Sequence, residues 1–147
     1  MKMLAKAIQI AATGFVNKFD KVGKPYILHC FEVMRKVPSD DEELMCIAIL
    51  HDVVEDKVCT IDFLISEGFS DRVIQAIELL THDRDKVAYD DYVRNLAPNK
   101  DARIVKLADL QHNSQITRLK GITDKDLARM AKYHRNYTYL KEYKDEE

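Results

Sequence analysis

The chain has no tryptophan and few of the residues that break regular structure: four glycines and three prolines in 147 residues. So few turn formers leave little room for the many short strands and tight turns of a β-sandwich or barrel. Cysteine is scarce too, at three residues. Cys30, Cys46 and Cys59 are scattered, odd in number and form no CxxC pair, so neither a zinc ribbon nor a disulfide framework is indicated. They read as small core residues of a reducing compartment. No apolar run approaches the ~20 residues that a membrane span needs. The N-terminal stretch lacks a clear apolar h-region and a cleavage site, so no signal peptide is expected and the cytoplasm is the default location. An excess of one charge is missing as well, with 23 Lys plus Arg against 25 Asp plus Glu and a net charge of -2. Broad nucleic-acid binding normally needs a basic face and is not expected. A small phosphorylated ligand remains compatible, because a metal ion can supply positive charge locally.

What is present is a chain 46% hydrophobic and 33% charged, with apolar residues recurring at helical spacing. The expected fold is all-α, a compact bundle of about eight helices. Its length suits one domain, residues 1–147, able to build a core without staples. The first helix is expected from about Leu4 to Phe19, followed by a turn at Gly23 and Pro25. A second runs from Tyr26 to Lys36. Ser39 to Glu42 reads as a capping box with Ser39 as N-cap, opening a third helix that buries Leu44, Ile47, Ala48 and His51 on one face. Thr60 and Ser70 are expected to cap the fourth and fifth helices. The polar stretch Thr81 to Val87 reads as a loop. The sixth helix covers Ala88 to Leu96, and the seventh starts near Asp101. The last runs from a Thr123 cap to about Lys144, with Leu127, Met130, His134, Tyr137 and Leu140 on one side. The acidic tail, Asp145 to Glu147, is expected to fray.

His29, the pair His51-Asp52 and Asp109 stand out because each lies in an apolar stretch: YILHCF, AILHDVV and IVKLADLQHN. Ionised carboxylates are costly to bury unless paired or bound to metal. Histidines with carboxylates are the ligand set of a divalent transition metal. Adjacent residues on a helix point about 100° apart, so His51 and Asp52 can share one ion only in a wedge between helices.

These stretches resemble the HD superfamily of metal-dependent phosphohydrolases. Within it they are most similar to the hydrolase domain of the RelA/SpoT alarmone enzymes and to the small alarmone hydrolases. The matching blocks are Gly23 to His29, Leu50 to Asp56, and Val105 to Asp109 with His112-Asn113, and the likeness in order and spacing runs from about residue 4 to residue 120. The resemblance implies an HD-domain bundle with one divalent ion, Mn2+ as first candidate, on His29, His51, Asp52 and Asp109. It implies that Glu55 and Asp56, each one turn beyond a ligand, orient and deprotonate the attacking water. Lys21, Thr81 and Asn113 match positions near the family's nucleotide ligand. The implied reaction is hydrolysis of a nucleotide phosphate ester, with a guanosine 3′-pyrophosphate as first candidate. Three positions depart from the pattern. Asp20 stands where the family carries an arginine over guanine, Val22 replaces a small polar residue, and Gln115 replaces an arginine. The metal ligands are untouched by these changes, and the choice of base is opened. The alternatives are an HD phosphohydrolase acting on another nucleotide, or an inactive nucleotide sensor. The Glu55-Asp56 pair speaks against the sensor. Oligomeric state is left open.

Other residues carry plainer readings. His112 supports the turn at Asn113, and His82 and His134 are surface or interface residues. Tyr133, Tyr137, Tyr139 and Tyr143 read as packing. Lys86, Arg103, Lys106 and Arg118 either meet phosphates or belong to a mixed-charge surface.

Overall fold

The computed structural model describes residues 1–145; Glu146 and Glu147 of the expected frayed tail lie outside them. Among the described residues the fold is all-α. It comprises α1 (Lys2–Gly14), α2 (Ile27–Lys36), α3 (Glu42–Leu50), α4 (Ile61–Ser66), α5 (Asp71–Leu80), α6 (Tyr89–Leu96), α7 (Lys100–Asn113) and α8 (Asp124–Glu142). A 3-10 turn at Ile116–Arg118 stands between the last two helices.

Helix α3 is the hub. Leu44, Cys46, Ile47, Ala48, Ile49 and Leu50 are all buried, and a helix that is apolar all round must be surrounded. Its neighbours are α1, α2, α5 and α7. The cap is Asp41 rather than the expected Ser39. The Asp41 carboxylate accepts from Leu44 N–H at 3.1 Å and from Arg72 of α5 at 3.1 and 2.7 Å. An acid that caps one helix and pairs with the next outcompetes a serine that can only cap. Thr60 and Ser70 cap α4 and α5 as expected, accepting from Phe63 N–H at 3.1 Å and Val73 N–H at 3.3 Å. Thr123 and Asp126 close a reciprocal box at the start of α8.

Helix α1 stops at Gly14, five residues before the expected Phe19. A Cβ on Gly14 would sit 2.1 Å from Val58 Cγ1, so the backbone itself packs against the segment after α3. Phe15 then turns into the core, only 2% exposed. The chain continues as a tight loop, with Tyr26 N–H donating to Lys18 O at 2.9 Å and Asp20 N–H to Lys24 O at 2.8 Å. Gly23 in this loop has φ 86°, a conformation that favours glycine.

The buried face of α8 also differs from the apolar stripe in the sequence. Leu127 is 51% exposed and His134 is exposed, while Asn136 and Leu140 are buried. Asn136 Nδ2 donates to Asp90 Oδ1 of α6 at 2.8 Å. Leaving that buried amide unsatisfied would cost about 1–3 kcal/mol. Tyr137, Tyr139 and Tyr143 pack against the core as expected. Arg103 lies under the Tyr143 ring at 4.9 Å and donates to Ala97 O, so it serves packing.

Candidate active site

Three parts of the chain converge on one point: His29 of α2, Asp109 of α7, and His51-Asp52 directly after α3. Each offers one ligand atom, and all four atoms lie within 4.8 Å of one another. The sequence reading put His51 and Asp52 on a helix. In the structure α3 ends at Leu50, and residues 51–57 form irregular turns closed by Lys57 at φ 60°. The turns stay tightly wound, with His51 at φ -58° and ψ -25° and Asp56 N–H donating to Asp52 O at 3.0 Å, and the two side chains meet in the wedge that α2 and α7 form with the end of α3.

The donor set fits a divalent cation. His51 Nδ1 lies 2.7 Å from Ala48 O. A carbonyl only accepts, so Nδ1 carries the proton and, in the neutral ring, Nε2 presents its lone pair. That Nε2 is buried and has no hydrogen-bond partner, although Asp52 Oδ2 is 3.0 Å away and Asp109 Oδ1 is 3.4 Å away. A nitrogen lone pair beside two carboxylate oxygens, in contact but not hydrogen-bonded, is the arrangement a shared cation satisfies.

Each carboxylate has a further anchor. Asp109 Oδ2 accepts from Lys106 Nζ at 2.9 Å. Its Oδ1 accepts from Asn113 Nδ2 at 3.0 Å and lies 2.9 Å from His29 Nε2. The Tyr26 hydroxyl donates to Asp52. Burial would push Lys106 down, but Asp109 overrides it and holds the ammonium well above its usual range. Burial would raise Asp109; Lys106 and the two histidines hold it well below the usual carboxylate range. Burial lifts the Tyr26 phenol far above its ordinary value, with Asp52 adding to the shift.

Both acids that follow the cluster have partners, and Glu55 also faces the cavity. Glu55 Oε1 accepts from His82 N–H at 2.9 Å, and Oε2 accepts from Arg84 Nη2 at 2.6 Å. Asp56 pairs with Lys18 at 2.5 Å, and Lys18 lies 4.0 Å over the Tyr26 ring. His82 is not a surface residue. It is half-buried, stacks on Tyr92 at 4.5 Å and bonds Val87 O at 2.6 Å, bracing the Thr81–Val87 loop.

A cavity of about 630 Å³ opens over the cluster. Lys21, Asn113 and Glu55 line it; Thr81 and Asp56 do not. The Thr81 hydroxyl instead donates to Ile77 O at 2.7 Å, at the end of α5. The sequence reading missed much of the remaining wall: Lys18, Arg84, Tyr89, Tyr92, Arg129 and Lys132. Tyr133, read as packing, lines it too, and of the four basic residues left open only Lys106 and Arg118 do. A signal was available on α8, where Arg129, Lys132 and Tyr133 follow at i, i+3 and i+4 and share a face. The Tyr89 ring has Lys132 Nζ at 4.6 Å and Lys106 Nζ at 5.2 Å, and its hydroxyl is buried without a partner.

At the rim, Asp20 Oδ1 accepts from Val22 N–H at 3.0 Å and Lys24 N–H at 2.9 Å, and Oδ2 lies 3.6 Å from Arg118. Arg118 Nη1 also donates to His112 O at 3.0 Å. His112, set aside in the sequence reading, lies with Nδ1 2.7 Å from His29 Nδ1, the two rings meeting edge to edge with centroids 5.0 Å apart and planes within 20° of each other. Burial, with Arg118 nearby, lowers His112 to about 4, so the ring is neutral near pH 7.

The helix order and packing define an all-α fold of the HD type. The fold is shared with a solved structure of a metazoan ortholog of SpoT that hydrolyzes ppGpp and plays a role in starvation responses. The match has a TM-score of 0.77 and 20% sequence identity, and it covers 99% of this chain and 88% of that one. No protein-family model and no curated protein matches the chain.

Proposed function

We propose that the chain is a metal-dependent phosphohydrolase acting on a phosphorylated nucleotide, with a guanosine 3′-pyrophosphate as first candidate. The observation that carries the reading is the unpartnered, buried His51 Nε2 facing two carboxylates beneath a cation-lined cavity. His29, His51, Asp52 and Asp109 would hold one divalent ion, Mn2+ as first candidate. When bound, such an ion lowers the pKa of coordinated water and polarises a phosphoryl oxygen. The protein's own groups do the rest. Tyr26 and Lys106 fix the orientation of Asp52 and Asp109. Glu55 lines the cavity and takes the proton from water. Asp56, tied to Lys18, steadies the turn that carries Glu55. Lys21, Arg84 and Lys132 offer charge to phosphates, Asn113 offers an amide, and the tyrosines offer faces to a base. Thr81 acts by capping α5 rather than by touching substrate. The shared fold with a ppGpp hydrolase supports the alarmone as first candidate; a role in the stringent response, in the cytoplasm, is part of the same proposal.

A specific observation favours keeping a second substrate in view. Asp20 is held in its turn and paired with Arg118, so base selection at this corner rests on a different residue from the one in the resembled family. The test is a Mn2+-dependent hydrolysis screen over nucleotides, including guanosine 3′,5′-bispyrophosphate, with the products identified. The expected result is release of pyrophosphate, abolished in His51→Ala. No hydrolysis of any nucleotide with Mn2+ present, or full activity in His51→Ala, overturns the reading.

A further inference from the structure

The two imidazoles at the base of the site share a short contact that the metal ligands alone do not explain. His29 Nδ1 and His112 Nδ1 are 2.7 Å apart, and both rings are buried, at 3% and 8% exposure. Two ring nitrogens at hydrogen-bond distance need one donor and one acceptor. The other nitrogen of His29, Nε2, points at Asp109 Oδ1 from 2.9 Å, on the side of the ligand cluster. If Nε2 gives its lone pair to a cation, the ring's proton must sit on Nδ1, and the group opposite must accept it.

We infer that His112 is the positioning residue for the ligand His29, its Nδ1 accepting the Nδ1–H of His29 so that Nε2 is free to bind metal. This rests on the reading of His29 as a ligand. The placement of His112 is built into α7. Asp109 and His112 are three residues apart, so they share one face of the helix. A single helix then supplies one ligand and the support for another. His112 is itself held in place: Arg118 grips its carbonyl at 3.0 Å, and its ring lies nearly parallel to that of His29, at 20°. Metal-binding histidines usually donate their second N–H to a carboxylate, a carbonyl or water. Here the acceptor is a second imidazole.

The test measures Mn2+ affinity, by electron paramagnetic resonance of free Mn2+, in wild type, His112→Leu, His112→Asn and His51→Ala. Asparagine puts an accepting oxygen where Nδ1 stood; leucine puts none. His112→Leu is expected to bind Mn2+ about 10–100-fold more weakly, the usual cost of losing the partner of a ligating histidine. His112→Asn should stay within about threefold of wild type, since the acceptor is retained. Thermal unfolding of each metal-free variant checks folding. His112→Leu binding as wild type does, while folded, overturns the inference. Leucine and asparagine weakening binding equally overturns it too. A wild type that binds no Mn2+, like His51→Ala, sinks the metal reading itself, which is a different failure. Should His112→Leu not fold, ¹⁵N-histidine NMR of the wild type with diamagnetic Zn2+ decides. The inference requires His29 protonated at Nδ1 and His112 unprotonated there; the reverse pattern overturns it.

Discussion

The two ends of the cavity are built by different means. At the metal end, His29, His51 and Asp109 are buried and Asp52 is half-buried, and the groups are closely surrounded: Asp109 by Lys106, Asn113 and His29, and His51 by Ala48 O on one side and two carboxylates on the other. At the rim, a loop is tied by one carboxylate, Asp20, whose partner Arg118 remains partly exposed. Charge in the interior cannot be left unpaired, so the metal end is rigid and its members are interdependent. Charge near water can exchange partners at little cost, so the rim is where ligand choice can change.

Removing one carboxylate at each end should give the largest contrast. Asp109→Ala strands the Lys106 ammonium in the interior and should destabilise the metal-free protein by about 3–5 kcal/mol in urea unfolding. Asp20→Ala loses two turn hydrogen bonds and an exposed pair, and should cost about 1–2 kcal/mol. Equal losses would dissolve the contrast. Next in size, Glu55→Gln should slow hydrolysis by roughly 10²–10⁴-fold, with metal content unchanged as the control that separates a base from a ligand. At the rim, Arg118→Ala should raise KM for a polyphosphorylated nucleotide by about tenfold, leaving kcat near wild type, as loss of uniform binding does. A fall in kcat of the same size would mean that Arg118 works through His112 on the metal end, and the two ends are not separable.

The smallest effect lies at the cap of α8. Backbone and side-chain hydrogen bonds from Thr123, and one from Arg129, hold Asp126 down at about 2. Its folded value is below its unfolded one, so its contribution to stability is present above about pH 4 and is lost as pH falls toward 2. Asp126→Asn should flatten the stability curve between pH 4 and 2 and leave it unchanged between pH 5 and 8. A slope unaltered by the substitution would show that the cap's charge has no part in it.

The buried half of this design was legible in the sequence because an ionisable residue among apolar ones is conspicuous. His29, His51, Asp52 and Asp109 all stood out in that way, and the all-α expectation followed from helical spacing. The exposed half was not legible. Arg84 meets Glu55 across the fold, and Lys18 meets Asp56; such pairs leave no periodic mark. Asp20 read as a cation missing from the cavity wall, yet two backbone N–H groups claim its Oδ1. Arg118 brings a guanidinium to the same corner from a segment far along the chain. Helix α1 ends at Gly14, where the backbone backs onto Val58, a long-range contact that local spacing does not carry. On α8, Leu140 and Tyr137 pack inward while Leu127 and His134 do not, and Asn136 is buried on Asp90, a contact across helices that an apolar stripe does not show.

Helix α7 acts as a ruler for the whole site. Lys106, Asp109, His112 and Asn113 fall at i, i+3, i+6 and i+7, and a step of about 100° per residue keeps all four on one side. Point substitutions can alter these residues one at a time. Deleting a single residue between Arg103 and Lys106 would do something else: relative to the start of the helix, it would swing all four by that same angle together. The counter-cation, a ligand, the support of His29 and a cavity amide would leave the site at once. Lineages that keep this chemistry should therefore tolerate insertions in the loops on either side of α7 and none within it, a pattern that can be read from lengths alone, without reference to which residues are present.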